Sequence, residues 1–233
     1  MSIMDPAEKG RKAMTGPTLA AASRFKSYSP EHEEKVRQLQ VKADPTLEAL
    51  IRAWGEVITS PVYFGSHLTY HIGKSLKGIN YSAEDVGRFS LIMHRFQNQE
   101  RFVMNFGYDM GFFLSRLVHD CPDKTITIHT GNLEKRLEYL GYDNKKELVV
   151  NGDGGDRVGH GMYRGKLVIN GDTGFQAGDE MTGGIIIIKG NAGDGVGRCM
   201  RGGEIRLEGT YESIGSGIEH GKIYHKGKLI FKK

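Results

Sequence analysis

Two histidines at helical spacing, His67 and His71, are the residues whose types and positions come nearest to a metal site. On a helix both imidazoles would share one face, and an Asp or Glu from elsewhere could complete a zinc-type set of ligands. The segment 66–72 is equally typical of a strand, which would also place both rings on one face without making them ligands. We therefore treat His67 and His71 as candidate metal or interface residues.

Fragments of two catalytic or nucleotide-binding motifs are present, and both are incomplete. Residues 73–75 (Gly-Lys-Ser) match the end of a phosphate-binding loop, but Leu68 stands where this motif requires its first glycine. A serine hydrolase needs Gly-x-Ser-x-Gly at a strand-to-helix elbow, and neither 73–77 nor 215–217 fits this pattern. The sequence therefore predicts no catalytic residue, no cofactor-binding residue and, apart from the two histidines, no metal ligand in this chain.

The composition argues against several classes of protein. The 233 residues include 33 glycines, and the net charge of +4 comes from interleaved basic and acidic residues, so nucleic-acid binding is not expected. Two cysteines, Cys121 and Cys199, are too few for a self-contained zinc or iron–sulfur site or a disulfide scaffold. Neither a membrane-spanning apolar run nor the apolar core of a signal peptide is visible. We expect a soluble, cytoplasmic protein that does not bind membranes.

The N-terminal half is predicted to contain a flexible extension followed by a first helix. Residues 1–44 are polar, mixed in charge and without sustained periodicity, which is typical of a flexible extension. From Pro45 onward, apolar residues at helical spacing predict an amphipathic helix that ends before Pro61. These apolar residues are Leu47, Leu50, Ile51, Trp54 and Ile58.

Two more helices and two short strands are predicted to complete a small α/β domain over residues 45–122. Ser82 is followed by acidic residues in the first turn, which is an N-cap signal, and Val86 and Phe89 lie on the apolar face of the helix after it. A third helix is predicted over 109–120, before Pro122. The strands are predicted at 62–64 and 101–105.

The C-terminal half, residues 123–233, repeats with a period of about 19 residues. Two columns of glycine keep this period in phase through the whole of this half. The structural repeat glycines are Gly152, Gly171, Gly190, Gly209 and Gly227 in one column and Gly165, Gly184, Gly203 and Gly221 in a second. Glycine suits the sharp corners of a short coil because a Cβ would clash there.

Between the two glycine columns lie five-residue segments whose second and fourth residues are predicted to face inward. The second residues are Leu148, Leu167, Ile186, Ile205 and Ile223, and the fourth are Val150, Ile169, Ile188, Leu207 and His225. The segment 124–129 alternates in the same way. Because one turn alone buries almost nothing, we expect stacked turns with strands about 4.8 Å apart. The fold predicted is a right-handed parallel β-helix of about five rungs, preceded by the small α/β domain.

Small polar residues follow the first glycine column and are predicted to be structural. They are Asp153, Asp172, Asn191 and Thr210. Such residues commonly hydrogen-bond the backbone of their own turn, and calcium-binding β-rolls repeat with a different period, of nine residues. Asp153, Asp156 and His160 are not expected to form a joint site. His225 and the lysine-rich tail are predicted to protect the exposed edge of the last rung.

The repeats resemble those of the GXGXG β-helix family. The resemblance covers about residues 124–233 and is carried by segments such as 178–193 (GDEMTGGIIIIKGNAG) and 197–209 (GRCMRGGEIRLEG). The family comprises the C subunit of formylmethanofuran dehydrogenase and the C-terminal domain of the large subunit of glutamate synthase. In both settings the β-helix has no known catalytic residue and braces catalytic subunits or domains. Residues 1–122 resemble no part of either protein.

The resemblance implies a non-catalytic scaffold subunit of a multi-subunit redox enzyme, similar to the C subunit of formylmethanofuran dehydrogenase, an enzyme of one-carbon metabolism. Molybdenum, tungsten, iron–sulfur or flavin cofactors would then belong to partner subunits, and this chain would have no activity alone. One alternative is a glutamate-synthase-associated subunit that supports ammonia channelling. The exposed ends of a β-helix are also compatible with a homo-oligomer.

A further alternative is an independent ligand-binding or regulatory protein. Its groove would be lined by aromatic residues of the N-terminal domain, which are Tyr63, Phe64, Tyr70, Tyr81, Phe102, Phe106 and Tyr108. The location of these side chains, around a pocket or in a dry core, distinguishes this alternative from the scaffold.

Overall fold

Helices precede strands along the chain. The computed structural model describes residues 44–59, 66–98 and 106–233. The helices in these ranges are α1 (Pro45–Thr59), α2 (Ser66–Ser75), α3 (Ala83–Ile92), which continues into a 3-10 turn (Met93–Arg95), and α4 (Phe106–Asp120). The strands are β1 (Thr125–His129), β2 (Glu147–Asn151), β3 (Lys166–Ile169), β4 (Ile185–Ile188), β5 (Arg201–Leu207), β6 (His220–His225) and β7 (Lys228–Lys232). None of these helices is long and apolar enough to cross a membrane.

The three helices predicted from apolar spacing and capping residues are confirmed as α1, α3 and α4. At the start of α1 the Leu47 N–H donates to Asp44 Oδ1 over 2.9 Å, and the same carboxylate pairs with Arg88 of α3. At the start of α3, Ser82 and Asp85 form the reciprocal capping box that the sequence predicts. Caps therefore fix where α1 and α3 begin and also tie these two helices together.

Several predictions for the N-terminal half concern segments that the structure does not describe. The strands at 62–64 and 101–105 and residues 1–43 of the extension lie outside the described residues. The segment around His67 and His71, compatible with either helix or strand in the sequence, is the helix α2. Every regular element described between residues 44 and 122 is helical.

Most of the described aromatic residues of the N-terminal half belong to a packed core and do not line a groove. Trp54 of α1 contacts Phe113 of α4 with ring centroids 5.3 Å apart, and Phe113 contacts Phe89 of α3 at the same distance. Of the seven aromatics predicted for a groove, Phe106 is buried, Tyr81 and Tyr108 pack against the core, and Tyr70 is exposed. Tyr63, Phe64 and Phe102 lie outside the described residues.

Strands β1 to β6 pair in parallel and in chain order, and β7 pairs antiparallel with β6. The residues that pair across neighbouring strands give the length of each turn. The first turn is 22 residues long, because Thr125 pairs with Glu147. Each of the next three turns, from β2 to β5, is 19 residues long. The last turn, from β5 to β6, is 18 residues long. The predicted parallel β-helix of about five turns is therefore confirmed.

The interior of the coil is filled by the predicted ladders. One ladder contains Ile126, Leu148, Leu167, Ile186, Ile205 and Ile223, and the other contains Ile128, Val150, Ile169, Ile188 and Leu207. The remaining walls are formed by Met162, Met181 and Met200 and by Val158, Ala177 and Val196. Every one of these side chains is buried, so the inside of the coil is a packed hydrophobic core.

Glycine is required in the two columns by backbone conformation or by close approach of the previous turn. Gly203 has a left-handed φ of +88°, which residues with a Cβ rarely adopt. The other members of its column also have positive φ. Gly171 has no such angle, but a Cβ there would lie 2.6 Å from the carbonyl oxygen of Gly152 in the turn before it. Gly227, which continues the first column in the sequence, lies instead in the turn between β6 and β7.

The small polar residues after the first glycine column link neighbouring turns, so the prediction that they bond their own turn is wrong. Asp153 Oδ1 accepts a hydrogen bond of 2.8 Å from the Asp172 N–H, which is 19 residues further on. Asp172 in turn accepts from Asn191, and Asn191 accepts from Thr210. The stacked turns bring the next backbone N–H within reach of each carboxylate or amide oxygen, and this contact replaces a local turn bond.

Both ends of the coil are covered by other parts of the chain. At the first end α4 approaches so closely that the Glu138 N–H donates to the Gly107 carbonyl over 3.0 Å. Ser115 of α4 also accepts a hydrogen bond of 2.9 Å from the Gly141 N–H. At the other end β7 covers the edge of β6, and the His225 ring lies 2.9 Å from the Gly209 carbonyl.

We expect Ile186→Ala to lower the free energy of unfolding by about 3 kcal/mol, because it removes buried methyl groups and leaves a cavity. Ile187 lies on the same strand and is only partly buried. The matched variant Ile187→Ala should therefore cost less than about 1 kcal/mol. Urea unfolding followed by circular dichroism measures both values. Equal losses for the two variants would contradict the inward register of β4.

A pH dependence of stability is expected from Asp109 in the first turn of α4. Burial raises the pKa of this carboxyl from 3.8 to about 6. A raised folded-state pKa means that the folded state holds the proton more tightly, so stability is lost as the pH rises from about 4 through about 6. The full shift corresponds to about 3 kcal/mol, which solvent screening of this partly exposed group reduces to about 1 kcal/mol.

Asp109→Asn removes the charge and should raise the melting temperature at about pH 8 while leaving it unchanged at about pH 4. Thermal unfolding at the two pH values measures the difference. Glu48→Gln on α1 is the control, because it neutralises a carboxylate that is largely exposed. A gain for Asp109→Asn of the same size at both pH values would show that burial of the charge is not the cause.

Candidate functional site

The candidate metal ligands His67 and His71 lie on α2, four residues apart on one helix. His67 is exposed and His71 is partly buried. Among the described residues no group of three or more His, Cys, Asp or Glu side chains is placed to hold a metal ion. Cys121 and Cys199 are both free thiols, the first buried and the second partly buried. An interface role for the two histidines stays a prediction.

A second set of side chains, which the sequence did not single out, stacks along one corner of the coil and against α4. We call it the corner surface, and its residues are Tyr139, Tyr142, Arg157, His160, Phe175, Gln176, Asp179 and Arg198. Most of them follow the repeat at intervals of 18 or 19 residues. The columns are Tyr139, Arg157 and Gln176, and Tyr142, His160, Asp179 and Arg198.

The backbone at this corner is left-handed, although its residues have side chains. Tyr139, Arg157 and Gln176 have φ values of 57°, 49° and 58°, and the next residue in the column is Gly195 with φ of 74°. The left-handed conformation costs a residue with a Cβ about 1 kcal/mol, which glycine avoids. Three turns therefore keep long side chains at a position where glycine is the less strained residue.

Arg157 is held rigidly at the centre of the corner surface. Its Nη1 donates to the Tyr139 hydroxyl over 2.6 Å and its Nε donates to Gln176 Oε1 over 2.9 Å. The guanidinium also lies 5.3 Å from the ring centroid of Tyr139 and 5.1 Å from that of Phe175. These contacts fix the cation and the two aromatic rings in one arrangement before any partner binds.

Aromatic rings join the corner of the coil to the helices. Phe112 of α4 stacks on Tyr139 with centroids 5.0 Å apart and touches Tyr142 at the same distance. Tyr142 stacks on His160 of the next turn at 5.7 Å, with the ring planes inclined by 13°. The corner surface is therefore continuous with the core of α4, and α4 is expected to restrict its motion.

A buried carboxylate lies between a histidine and an arginine in the second column. Asp179 is 1% exposed, with one oxygen 3.3 Å from His160 Nδ1 and the other 3.1 Å from Arg198 Nε. The hydrogen bond to Asp179 raises the pKa of the Arg198 guanidinium further above its ordinary value. Buried charges need such partners, because desolvation of a lone carboxylate is costly.

A further polar cluster at the end of α4 lies beside the corner surface. Asp120 accepts hydrogen bonds from Arg116 Nε over 2.6 Å and faces His119 Nδ1 at 2.9 Å. Burial acts in the opposite direction, but these two partners lower the pKa of Asp120. Burial raises the pKa of Asp143, and nearby His160 and His119 partly offset the rise. Asp143 is therefore close enough to interact both with His119 of this cluster and with His160 of the corner surface.

The Asp120–His119 pair has the form of a carboxylate-oriented imidazole, which general acid–base catalysis uses. The other ring nitrogen, His119 Nε2, lies 3.1 Å from Lys145 Nζ. In catalysis this nitrogen would have to reach a substrate, whereas here it faces an ammonium group of the coil. The contact therefore links α4 to the coil, and its geometry does not favour proton transfer.

Asp153, Asp156 and His160, which the sequence does not predict to act together, make three separate sets of contacts. Asp153 bonds the next turn, Asp156 pairs with Arg136 at 3.2 Å, and His160 faces Asp179. Extending the alignment of the repeats from the glycines to the polar residues would have identified the His160 column. The residue type in this column changes from turn to turn, so the column does not appear as a sequence motif.

We expect Arg198→Met to destabilise the chain, because it removes the strongest partner of the buried Asp179 carboxylate. The variant leaves the buried carboxylate with His160 as its remaining charge partner, and a buried carboxylate that loses a partner is destabilising. The double variant Asp179→Asn/Arg198→Met should recover much of the lost stability, since the buried charge is then absent as well. Thermal unfolding of the wild type, both single variants and the double variant measures this coupling. Additive losses in the double variant would show that the two side chains do not act as a pair.

Comparisons with known proteins assign no family to the chain. No protein-family model matches it. No curated protein and no solved structure matches it either. A function must therefore be inferred from the repeat and from the geometry of the corner surface.

Proposed function

We propose that this chain is a non-catalytic scaffold subunit of a multi-subunit redox enzyme, similar to the C subunit of formylmethanofuran dehydrogenase. In this proposal the corner surface binds a neighbouring subunit, and molybdenum, tungsten, iron–sulfur or flavin cofactors belong to the partners. The observation that carries the proposal is the rigid cluster of Arg157, Tyr139 and Phe175 at the surface of a filled coil.

Because the interior of the coil is filled by side chains, a partner would have to bind to the outside of the coil. The inward ladders of all six parallel strands are packed against one another, and the residues of the other walls are buried as well. Because α4 and β7 cover the two ends of the coil, its lateral surface is the part that it offers to partners. The resemblance of the repeats to the GXGXG family supports the same role, since in that family the β-helix braces catalytic subunits.

The composition of the corner surface is typical of an interface centre. Arginine and aromatic residues are enriched among the side chains that contribute most to binding between proteins. Phe175 is 36% exposed although it stacks on Arg157, so a partner could bury the remaining ring face. Because Arg157 is already fixed by Tyr139 and Gln176, little side-chain entropy would be lost on binding.

The left-handed residues support the same interpretation. Strained backbone conformations persist where a side chain is required by function or by its neighbours. At this corner glycine occupies the corresponding position in the turn of Gly195, whereas Arg157 and Gln176 occupy it in the two turns before. In this column side chains thus occupy the turns nearest α4, where the aromatic cluster lies.

The test is native affinity purification of the tagged full-length chain from its source organism, with metal and flavin analysis of the co-purifying proteins. We expect large subunits that contain molybdenum, tungsten, iron or flavin. Phe175→Ala should lower their recovery about tenfold, since loss of a central aromatic contact commonly costs more than about 1 kcal/mol.

Tyr163→Ala is the matched control for this purification. Tyr163 is an aromatic residue that is 38% exposed, and it stacks on Arg164 outside the corner surface. It should leave recovery unchanged. A chain that elutes alone, without metal or flavin, would contradict the scaffold role. Equal losses for the Phe175 and Tyr163 variants would contradict the assignment of the corner surface as the interface.

A further inference from the structure

The last strand, β7, has an outer edge that no other strand covers within the described ranges 44–59, 66–98 and 106–233. It follows β6 through a two-residue turn, Lys226–Gly227, in which both residues have positive φ. Its inner edge pairs with β6. A strand at the end of a sheet presents unpaired backbone donors and acceptors to whatever approaches it.

The register shows which backbone groups face outward. Gly221 and Lys233 exchange two hydrogen bonds of 3.2 Å, so they form a hydrogen-bonded pair of the antiparallel ladder. The adjacent pair, Lys222 and Lys232, is therefore of the other type, and the N–H and C=O of Lys232 point away from β6. Ile230 is the extra residue of a bulge and has no partner on β6.

The edge is strongly basic. Residues 220–233 contain five lysines and no acidic residue, and without these five the formal charge of the chain would be −1 instead of +4. Lys222 and Lys232 lie directly opposite each other on paired strands. Like charges in this arrangement destabilise a sheet, so a carboxylate placed beside Lys232 would relieve repulsion that the fold itself contains.

The same edge exposes apolar side chains. Leu229 and Ile230 are 43% and 36% exposed, and both lie on β7 between Lys228 and Lys232. Lysines and a bulge alone would suffice to protect an edge against aggregation. Exposed leucine and isoleucine do not contribute to that protection, whereas they would be buried by a strand laid along the edge.

We propose that the outer edge of β7 binds an extended acidic segment of a partner protein as an eighth strand. Backbone groups such as those of Lys232 would pair with the segment, and a carboxylate of the segment would lie beside Lys232 on the face that Lys232 shares with Lys222. Apolar residues of the segment would cover exposed apolar surface of β7. A second copy of this chain fits less well, because it would place lysines against lysines. The proposal is independent of the corner surface and of the redox enzyme proposed above.

The test uses the full-length chain and a short fluorescein-labelled peptide of alternating glutamate and valine. We expect saturable binding in fluorescence anisotropy, and slower hydrogen exchange at the Lys232 amide when the peptide is present. A peptide with lysine in place of glutamate should bind at least about tenfold more weakly, since each rim charge contributes to attraction. The glutamate–valine peptide with alternate backbone amides N-methylated should lose binding to a similar extent, because it cannot complete the ladder.

Lys232→Glu should weaken peptide binding about tenfold, because it removes an attraction and adds a repulsion. It should not lower the melting temperature, since it places an opposite charge across from Lys222. Lys189→Glu makes the same change of charge at an exposed residue just after β4 and should leave binding unchanged. This control separates a local effect at β7 from a general effect of net charge.

Three outcomes would overturn the proposal. Equal binding of the N-methylated peptide would show that any polyanion suffices and that no strand is added. Unchanged affinity of Lys232→Glu would place the peptide elsewhere. A concentration-dependent dimer in light scattering that Ile230→Pro abolishes would show that a second copy occupies the edge. Because each readout uses only this chain and synthetic peptides, failure here would not affect the corner surface, and failure of the affinity purification would not affect β7.

Discussion

Stacking of turns of nearly equal length is the constraint on which the rest of this structure depends. A single turn contributes only a few inward side chains, and those are buried only if the next turn presents its own directly above them. A shift of one residue in a strand would turn its apolar residues outward. The register accordingly advances by an almost constant step from β2 to β6. The longer step, between β1 and β2, lies where α4 packs against segment 136–142 and covers the end of the coil.

The same constraint determines the polar contacts between turns. Since neighbouring strands are about 4.8 Å apart, each residue lies beside its equivalent in the next turn, so one hydrogen bond can recur along the coil. Asp153, Asp172 and Asn191 each accept from the backbone of the turn that follows. The close approach also explains Gly171, where a side chain would strike the previous turn. Apolar ladders, polar ladders and glycine columns are thus three consequences of one spacing.

The elements that follow local or periodic rules could be predicted from the sequence. Capping residues such as Ser82 and apolar periodicity predicted α1, α3 and α4, whereas α2 was compatible with either helix or strand. The phase of the glycines predicted the inward ladders with their individual residues. Contacts between turns were harder to predict. The predicted bonding of Asp172 was wrong because turn preferences describe only the nearest residues of the chain. The column of His160, Asp179 and Arg198 was missed because its members share a position and no chemical type, so that their pairing becomes visible only when the turns are stacked.

In a coil of this kind the residues that stabilise the fold and the residues that can determine binding specificity occupy different positions. Inward positions repeat the same few apolar types, whereas one outward corner position is arginine in one turn and glycine two turns later. Outward positions that depart from the repeat are therefore where function should be sought. The corner surface and the outer edge of β7 are two such regions, and they differ physically. At the corner surface the Asp179 carboxylate is buried and Arg157 stacks on aromatic rings, so salt screens these charges weakly. The lysines of β7 are exposed and interact with partners through solvent. Ionic strength would thus act on contacts at the β7 edge far more than on contacts at the corner.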